Sequence, residues 1–250
     1  MNSLEDWTSP RSASTTPWIV AHRGASFRHR ESSPEAFEAA IAEGASAVET
    51  DVRRTTDGVL VCHHDETLRR TANVDRAISS LTFEELRTVA PDYCVPLSDV
   101  LERTRGRINV LLDLKLERDD DIAALLSLLA EKATGKHVAI GARLLHSQAF
   151  IAARAPSVPL LGLLGSPDEV PAFVAAGGNW VRLWERDASA ERIASVRALQ
   201  VPVLIMVGGE GTGRTIGQID SPRIAELLAL GADGLMLDDP ALVADSSRPA

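Results

Sequence analysis

The sequence predicts an α/β fold: a (β/α)8 TIM barrel with a small hairpin and helical insertion after the second strand. Three observations predict it. Eight short apolar runs alternate with longer segments of helical periodicity from residue 18 toward the C-terminus. The length of 250 residues matches the usual size of such a barrel. Aromatic residues make up only 4% against 45% hydrophobic residues, so the core must be built from Ala, Leu and Val, the material of helices layered on buried parallel strands. A doubly wound open sheet is the competing arrangement.

Residues 1–16 are rich in Ser, Thr and Pro and are expected to form a flexible N-terminal tail, with residues 17–245 forming one barrel domain. The first two strands are expected over 18–21 and 47–52. Thr56-Asp57-Gly58 reads as a tight turn into a hairpin strand over 59–63. The segment 69–107 is then an excursion with short helices near 83–89 and 97–104. The remaining strands are expected over 108–114, 138–145, 159–164, 180–184, 201–207 and 234–237. Helices are expected over 33–43, 120–133, 147–155, 167–176, 190–199 and 222–230. Ser33 before Pro34 is an N-cap followed by a first-turn proline, and Gly44 supplies the stop. Ser221-Pro222 and Gly231 repeat that punctuation.

With 26 Lys and Arg against 35 Asp and Glu the formal charge is −9, and no dense basic stripe offsets it. Nucleic acid and anionic membrane surfaces are therefore excluded as partners. An acidic protein acting on an anionic substrate needs a local cation source, either a metal or a few inward-pointing Arg and Lys. Two cysteines give no disulfide framework, and Cys62, inside an apolar run, is expected to be a buried thiol. No apolar h-region or membrane-spanning run occurs, which predicts a cytoplasmic protein.

The chemistry is expected at the C-terminal ends of the barrel strands. The first strand ends in His22-Arg23-Gly24. In the second, Glu49 and Asp51 stand two positions apart and project to one face, where like charges need a cation between them. The third barrel strand is almost wholly apolar except for Asp113 and Lys115, again on one face. Charges in such a strand must be compensated, by pairing with each other or by a metal at Asp113 and an anion at Lys115. Of the adjacent His63 and His64 only one can face the site, where with His22 it would form a proton-exchanging pair. Three acids, two histidines, an Arg and a Lys suit phosphoryl transfer at a single hard metal.

These residues resemble the glycerophosphodiester phosphodiesterase family. The resemblance rests on His22-Arg23-Gly24-Ala25-Ser26, Glu31, Gly44-Ala45, Glu49-Thr50-Asp51-Val52, Thr56-Asp57-Gly58 and His64-Asp65-Glu66-Thr67-Leu68-Arg69-Arg70-Thr71. It is thinner at residues 109–115 and returns at Gly231-Ala232-Asp233-Gly234 and Asp238-Asp239-Pro240. It implies a metal-dependent enzyme that cleaves small-molecule glycerophosphodiesters to glycerol 3-phosphate and an alcohol. His22 and His64 would be general acid and base, and Glu49, Asp51 and Asp113 would hold one divalent cation, Mg or Ca, with Mn also compatible. Arg23 and Lys115 would hold the phosphate. Position beside Asp65 selects His64 over His63.

The chain also departs from the family pattern. Arg30-Glu31-Ser32-Ser33 stands where Pro-Glu-Asn-Thr is common, leaving Glu31 as a supporting residue, while Glu35 belongs to the first helical turn. Asp113 replaces the usual Glu, one methylene longer. The late Trp-Thr is missing, so Arg182 and Trp184, on one strand face, become candidates for the substrate pocket; a core Trp with a snorkelling Arg is the plainer reading. The competing functions are a lysophospholipase D-type phosphodiesterase on the same barrel, a Schiff-base aldolase using Lys115, and a non-catalytic barrel binding a phosphate metabolite.

Overall fold

The alternation of apolar runs and helical segments closes into a barrel in the computed structural model, which describes residues 4–9 and 16–246. The first half of the chain forms β1 (Trp18–Ala21), α1 (Pro34–Ala42), β2 (Ala47–Arg54), β3 (Leu60–Cys62), α2 (Arg69–Ala72), α3 (Phe83–Val89), β4 (Val95–Pro96), α4 (Leu97–Thr104), β5 (Asn109–Leu114) and α5 (Asp119–Glu131). The second half forms β6 (Val138–Ala142), α6 (Leu145–Arg154), β7 (Leu160–Gly162), α7 (Val170–Ala175), β8 (Trp180–Trp184), α8 (Ala190–Arg197), β9 (Val203–Met206), α9 (Ser221–Ala229), β10 (Gly234–Leu237) and α10 (Ala241–Ser246).

Among the described residues, the eight strands β1, β2, β5, β6, β7, β8, β9 and β10 pair in parallel in that order, and β10 pairs with β1 to close the ring. The open-sheet alternative is thereby excluded. The hairpin is β3, antiparallel on the far end of β2 through Val52↔Cys62 and Arg54↔Leu60, with β4 added outside it. The excursion carries its own small core of Val61, Leu68, Ile78, Leu81, Leu86 and Ala90. Helix α4 instead joins the main core through Leu97, Val100 and Leu101 and packs against β5 and the hairpin strands β3 and β4. No helix among the described residues is long and apolar enough to cross a membrane.

Several boundaries move. Strand β6 stops at Ala142 and α6 begins at Leu145, because the Arg143 side chain leaves the apolar run. The helix expected over 167–176 splits into a 3-10 turn, Pro167–Glu169, and α7. Ser33 caps α1 as expected, accepting from Ala36 N–H. The cap of α9 is Asp220, accepting from Arg223 N–H, and Ser221 lies inside the helix. Cys62 is buried, and burial pushes its thiol up to about 12.

The expected tail needs a larger correction. Residues 1–3 and 10–15 lie outside the described residues, but residues 4–9 dock on the barrel floor. Trp7 is 1% exposed, donates from Nε1 to the Val110 carbonyl at 3.1 Å, and accepts on its own carbonyl from Trp180 Nε1 at 2.9 Å. Its ring meets those of Trp18 and Trp180, with centroids 4.6 and 5.6 Å away. Trp18 and Trp180 open β1 and β8, so the three rings close the N-terminal end of the barrel.

Candidate active site

Counting by two along each strand from this floor leads to the mouth. On β2 the inward series runs Ala47, Glu49, Asp51, Arg53; on β5 it runs Asn109, Leu111, Asp113, Lys115. Register then fixes neighbours: Asp51 pairs with Asp113, and Asp113 with Gly141. Three buried carboxylates, of Glu49, Asp51 and Asp113, therefore converge, each offering an oxygen within 4.8 Å of the others.

The cations among them are specific. Lys115 Nζ reaches Asp51 at 2.9 Å and Asp113 at 2.7 Å, so the ion pair that compensates the third strand does form, and it includes a second acid. Arg143, which sequence reasoning missed, donates from Nε to Asp113 Oδ1 at 3.0 Å and from a terminal nitrogen to Oδ2 at 2.5 Å. Burial works against ionisation of Asp113, but Arg143 and Lys115 outweigh it and hold its carboxyl below the usual range. Among the described residues, no cationic side chain bonds to Glu49. Burial, with the charge of Asp51 added, pushes it up to about 8.

The loop after β1 supplies the next groups. Arg23 sits at φ 55, a left-handed conformation costing a non-glycine residue about 1 kcal/mol or more. It is held by its N–H donating to Glu49 Oε2 at 3.0 Å and its carbonyl accepting from Ser32 N–H at 2.8 Å. Gly24 follows at φ 80 against Ala36, where a Cβ would collide with α1. The turn thus aims Arg23 inward. Its Nε faces Asp51 Oδ2 at 3.4 Å without hydrogen-bond geometry, and neither atom has another partner. Glu31 accepts from Arg23 at 3.1 Å and from Arg70, which places it behind the site as a support. Glu35 sits in the first turn of α1, as expected.

His22 directly follows β1, with Nδ1 2.8 Å from Asp238 Oδ1 beyond β10. Burial opposes its charged form, but the Asp238 bond and the charge of Glu49 prevail and raise its pKa. Asp238 was not assigned from sequence, although it stands two residues beyond inward-facing Met236, the same step that leads from Gly141 to Arg143. His64 has Nδ1 2.7 Å from Asp65 Oδ1, and its carbonyl accepts from Arg53. Burial lowers its pKa. His63 points away, spanning the Asp65 carbonyl and Thr71 Oγ1.

Arg182 and Trp184 both line the same cavity, the guanidinium lying 4.1 Å from the indole centroid. Arg182 is buried with one terminal nitrogen unpartnered, and burial, with the charge of Arg143, holds it down to about 10. The cavity of about 70 Å³ also contains His22, His64 and the three acids, and its far wall is Leu163, Met206, Ile216 and Met236. Away from it, His137 contacts Asn109 and His146 contacts Asp119 at the surface.

A TIM barrel whose mouth gathers buried carboxylates, inward guanidinium groups and two histidines each bonded to a carboxylate is the class of protein that the fold and site define. The chain belongs to the glycerophosphoryl diester phosphodiesterase family, which matches residues 22–196. It is 34% identical over 109 residues to a glycerophosphodiester phosphodiesterase of Bacillus altitudinis, covering 40% of this chain and 44% of that one. The chain spans between about a quarter and under half of the length of the curated relatives it matches first. The solved glycerophosphodiester phosphodiesterase of Agrobacterium tumefaciens shares the fold, with a TM-score of 0.76 at 24% identity over 92% of this chain and 100% of that one. An Oleispira antarctica phosphodiesterase, solved with its product sn-glycerol-3-phosphate, is also similar, with a TM-score of 0.75 at 19% identity over 92% and 97% of the two chains.

Proposed function

We propose that this chain hydrolyses glycerophosphodiesters to glycerol 3-phosphate and an alcohol, with His22 and His64 as the proton-transfer pair. The observation that carries the reading is that both histidines, each oriented by a carboxylate, open on the cavity that holds Glu49, Asp51 and Asp113. An oxygen of Asp51 without a hydrogen-bond partner and a Glu49 raised by burial and by the charge of Asp51 fit a divalent cation, Mg, Ca or Mn, held by the three acids. A cation there would withdraw charge from the phosphoryl oxygens.

Arg23 and Lys115 hold the phosphate, and Arg182 adds a donor from the opposite wall. A glycerol hydroxyl attacks phosphorus and loses its proton to one histidine, while the bond to the alcohol oxygen breaks and that oxygen takes a proton from the other. Water then opens the cyclic phosphate with the roles reversed. The proposal includes the expected cytoplasmic location.

The test is release of glycerol 3-phosphate from a panel of glycerophosphodiesters, with EDTA and with each metal added back. Chelator-sensitive release is expected; tight metal binding without turnover of any diester would favour a binding barrel instead. Lys115 Nζ is engaged by two carboxylates, which counts against its use as a free amine nucleophile.

One observation favours a second substrate class. Phe27, Leu144 and Ile216, on loops at the mouth, and Leu145, which opens α6, are exposed. Such an apolar rim suits a glycerol that keeps one acyl chain, as in a lysophospholipid. Cleavage of lysophospholipids faster than of deacylated diesters would establish that reading.

A further inference from the structure

The excursion that follows β3 lies outside the closed ring, yet it sends one side chain to the back of the active site. Arg70, in α2, donates from Nε to Asp65 Oδ2 at 2.6 Å and from its two terminal nitrogens to Glu31 Oε1 and Oε2 at 2.5 and 3.0 Å. Every nitrogen of the guanidinium is thus spent on these two carboxylates. A planar fork holds both at fixed angles, which a compact ammonium cannot do.

Each carboxylate passes the contact on to a group that faces the substrate. Asp65 offers its other oxygen to His64 Nδ1 at 2.7 Å, and Glu31 Oε2 also accepts from Arg23 at 3.1 Å. Arg70 therefore stands one carboxylate away from His64, on the loop after β3, and one carboxylate away from Arg23, on the loop after β1. Burial works against ionisation of both acids, but the bonds from Arg70, with those of His64 and Arg23, prevail. Asp65 is held down to about 2, and Glu31 lies below its usual range. An ionised carboxylate can only accept, so Nδ1 of the neutral His64 ring carries the proton and Nε2 is the basic nitrogen.

The chain on both sides of Arg70 is fixed. Leu68 is buried in the small core of the excursion. Thr71 Oγ1 lies 3.0 Å from His63 Nε2, while His63 Nδ1 lies 2.9 Å from the Asp65 carbonyl. His63, turned away from the cavity, thus ties α2 to the segment that carries Asp65. The neighbouring Arg69 makes a contrast: its pair with Asp75 has side chains 71% and 67% exposed, whereas Asp65 and Glu31 are only 24% and 21% exposed. An open pair of the first kind is worth little. A pair that fixes reacting groups acts through their geometry.

We propose that Arg70 is a positioning residue for the reaction, a single guanidinium that sets His64 and Arg23 relative to each other through Asp65 and Glu31. The inference rests on the phosphodiesterase reading, in which His64 moves a proton and Arg23 holds the phosphate, and it gives the excursion a role in turnover.

The test is a set of double-mutant cycles on the full chain, with kcat and KM measured separately on the glycerophosphodiester that the parent cleaves fastest. Asp65→Asn is expected to lower kcat about tenfold or more with KM little changed. Glu31→Gln is expected to raise KM about two- to fivefold with kcat little changed. Arg70→Met should do both. In the Asp65→Asn background it should lose most of its effect on kcat, and in the Glu31→Gln background most of its effect on KM. Arg70→Lys, which keeps the charge without the fork, should leave most of the kcat loss in place. Effects of Arg70→Met that are the same in every background, or that track a matching loss of stability, would reduce Arg70 to a support of the excursion and overturn the proposal. Full recovery in Arg70→Lys would overturn it as well. A parent that cleaves no diester would instead remove the phosphodiesterase reading on which it stands.

Discussion

The two ends of this barrel are made from the same eight strands and solve opposite problems. At the N-terminal end Trp7, Trp18 and Trp180 exclude water, and each indole N–H is engaged: Trp7 on a strand carbonyl, Trp180 on the Trp7 carbonyl and Trp18 on the Glu5 carboxylate. At the C-terminal end the same inward positions carry Glu49, Asp51, Asp113 and Arg182, charges whose burial costs several kcal/mol each before pairing, and the half-buried Lys115. The comparison teaches that stability is concentrated at the floor, whereas the mouth holds groups whose mutual repulsion is tolerated for chemistry.

The largest effect should come from the mouth. His22→Ala removes one member of the proton-transfer pair and is expected to lower kcat about 10²- to 10⁴-fold. Thermal unfolding should stay within a few degrees of the parent, because His22 contributes an ion pair and no large apolar surface. A loss of activity matched by an equally large loss of stability would blur the contrast between the two ends.

The converse substitution is Trp7→Ala. It opens a cavity among buried rings and deletes the indole hydrogen bond to Val110, while the backbone carbonyl that accepts from Trp180 remains, so a cost of about 3–5 kcal/mol is expected in denaturant unfolding. Activity of the folded fraction should be nearly unchanged. If removing residues 4–9 altered kcat but not stability, the floor would have a role in the reaction that its position does not suggest.

How legible each end was follows from the same contrast. Polar residues inside apolar strands stand out, which is why Glu49, Asp51, Asp113 and Lys115 could be read directly and why all of them converge. Trp7 could not be read, because it sits in a Ser, Thr and Pro-rich stretch and its partners are 11 to 173 positions away. Arg143 follows only five strand residues, at a strand-to-helix junction where a charge is ordinary, and its partner Asp113 lies 30 positions earlier. Asp238 lies 216 positions from His22 and meets it only because β10 closes on β1. The two-residue step along each strand was the available signal for both.

Asp238→Asn tests that closure with a smaller effect. The amide oxygen can still accept from His22 Nδ1, but the negative charge that raises the imidazole pKa is lost. The limb of the pH–rate profile governed by His22 should move to lower pH, with a loss in kcat smaller than that of His22→Ala. An unmoved limb would mean that Asp238 only fills space against Gly217, whose φ of 87 leaves no room for a Cβ beside that carboxylate.

The smallest effect concerns the repulsion stored at the mouth. Without a cation, Glu49 titrates near 8 in the folded chain against an ordinary value of 4.5. Between these values the folded state holds a proton that the unfolded state has released, so stability falls as pH rises through that window and stays low above it. A divalent cation competes with that proton for the same carboxylates. Its stabilisation should therefore be larger at pH 8 than at pH 5, a difference of a few degrees in the unfolding midpoint at saturating metal. Trp7→Ala should lower both midpoints without changing that difference, because the floor has no group that exchanges a proton for a metal. Asp51→Asn should shrink the difference, since it removes the charge that adds to burial in raising Glu49 and one of the oxygens offered to the cation.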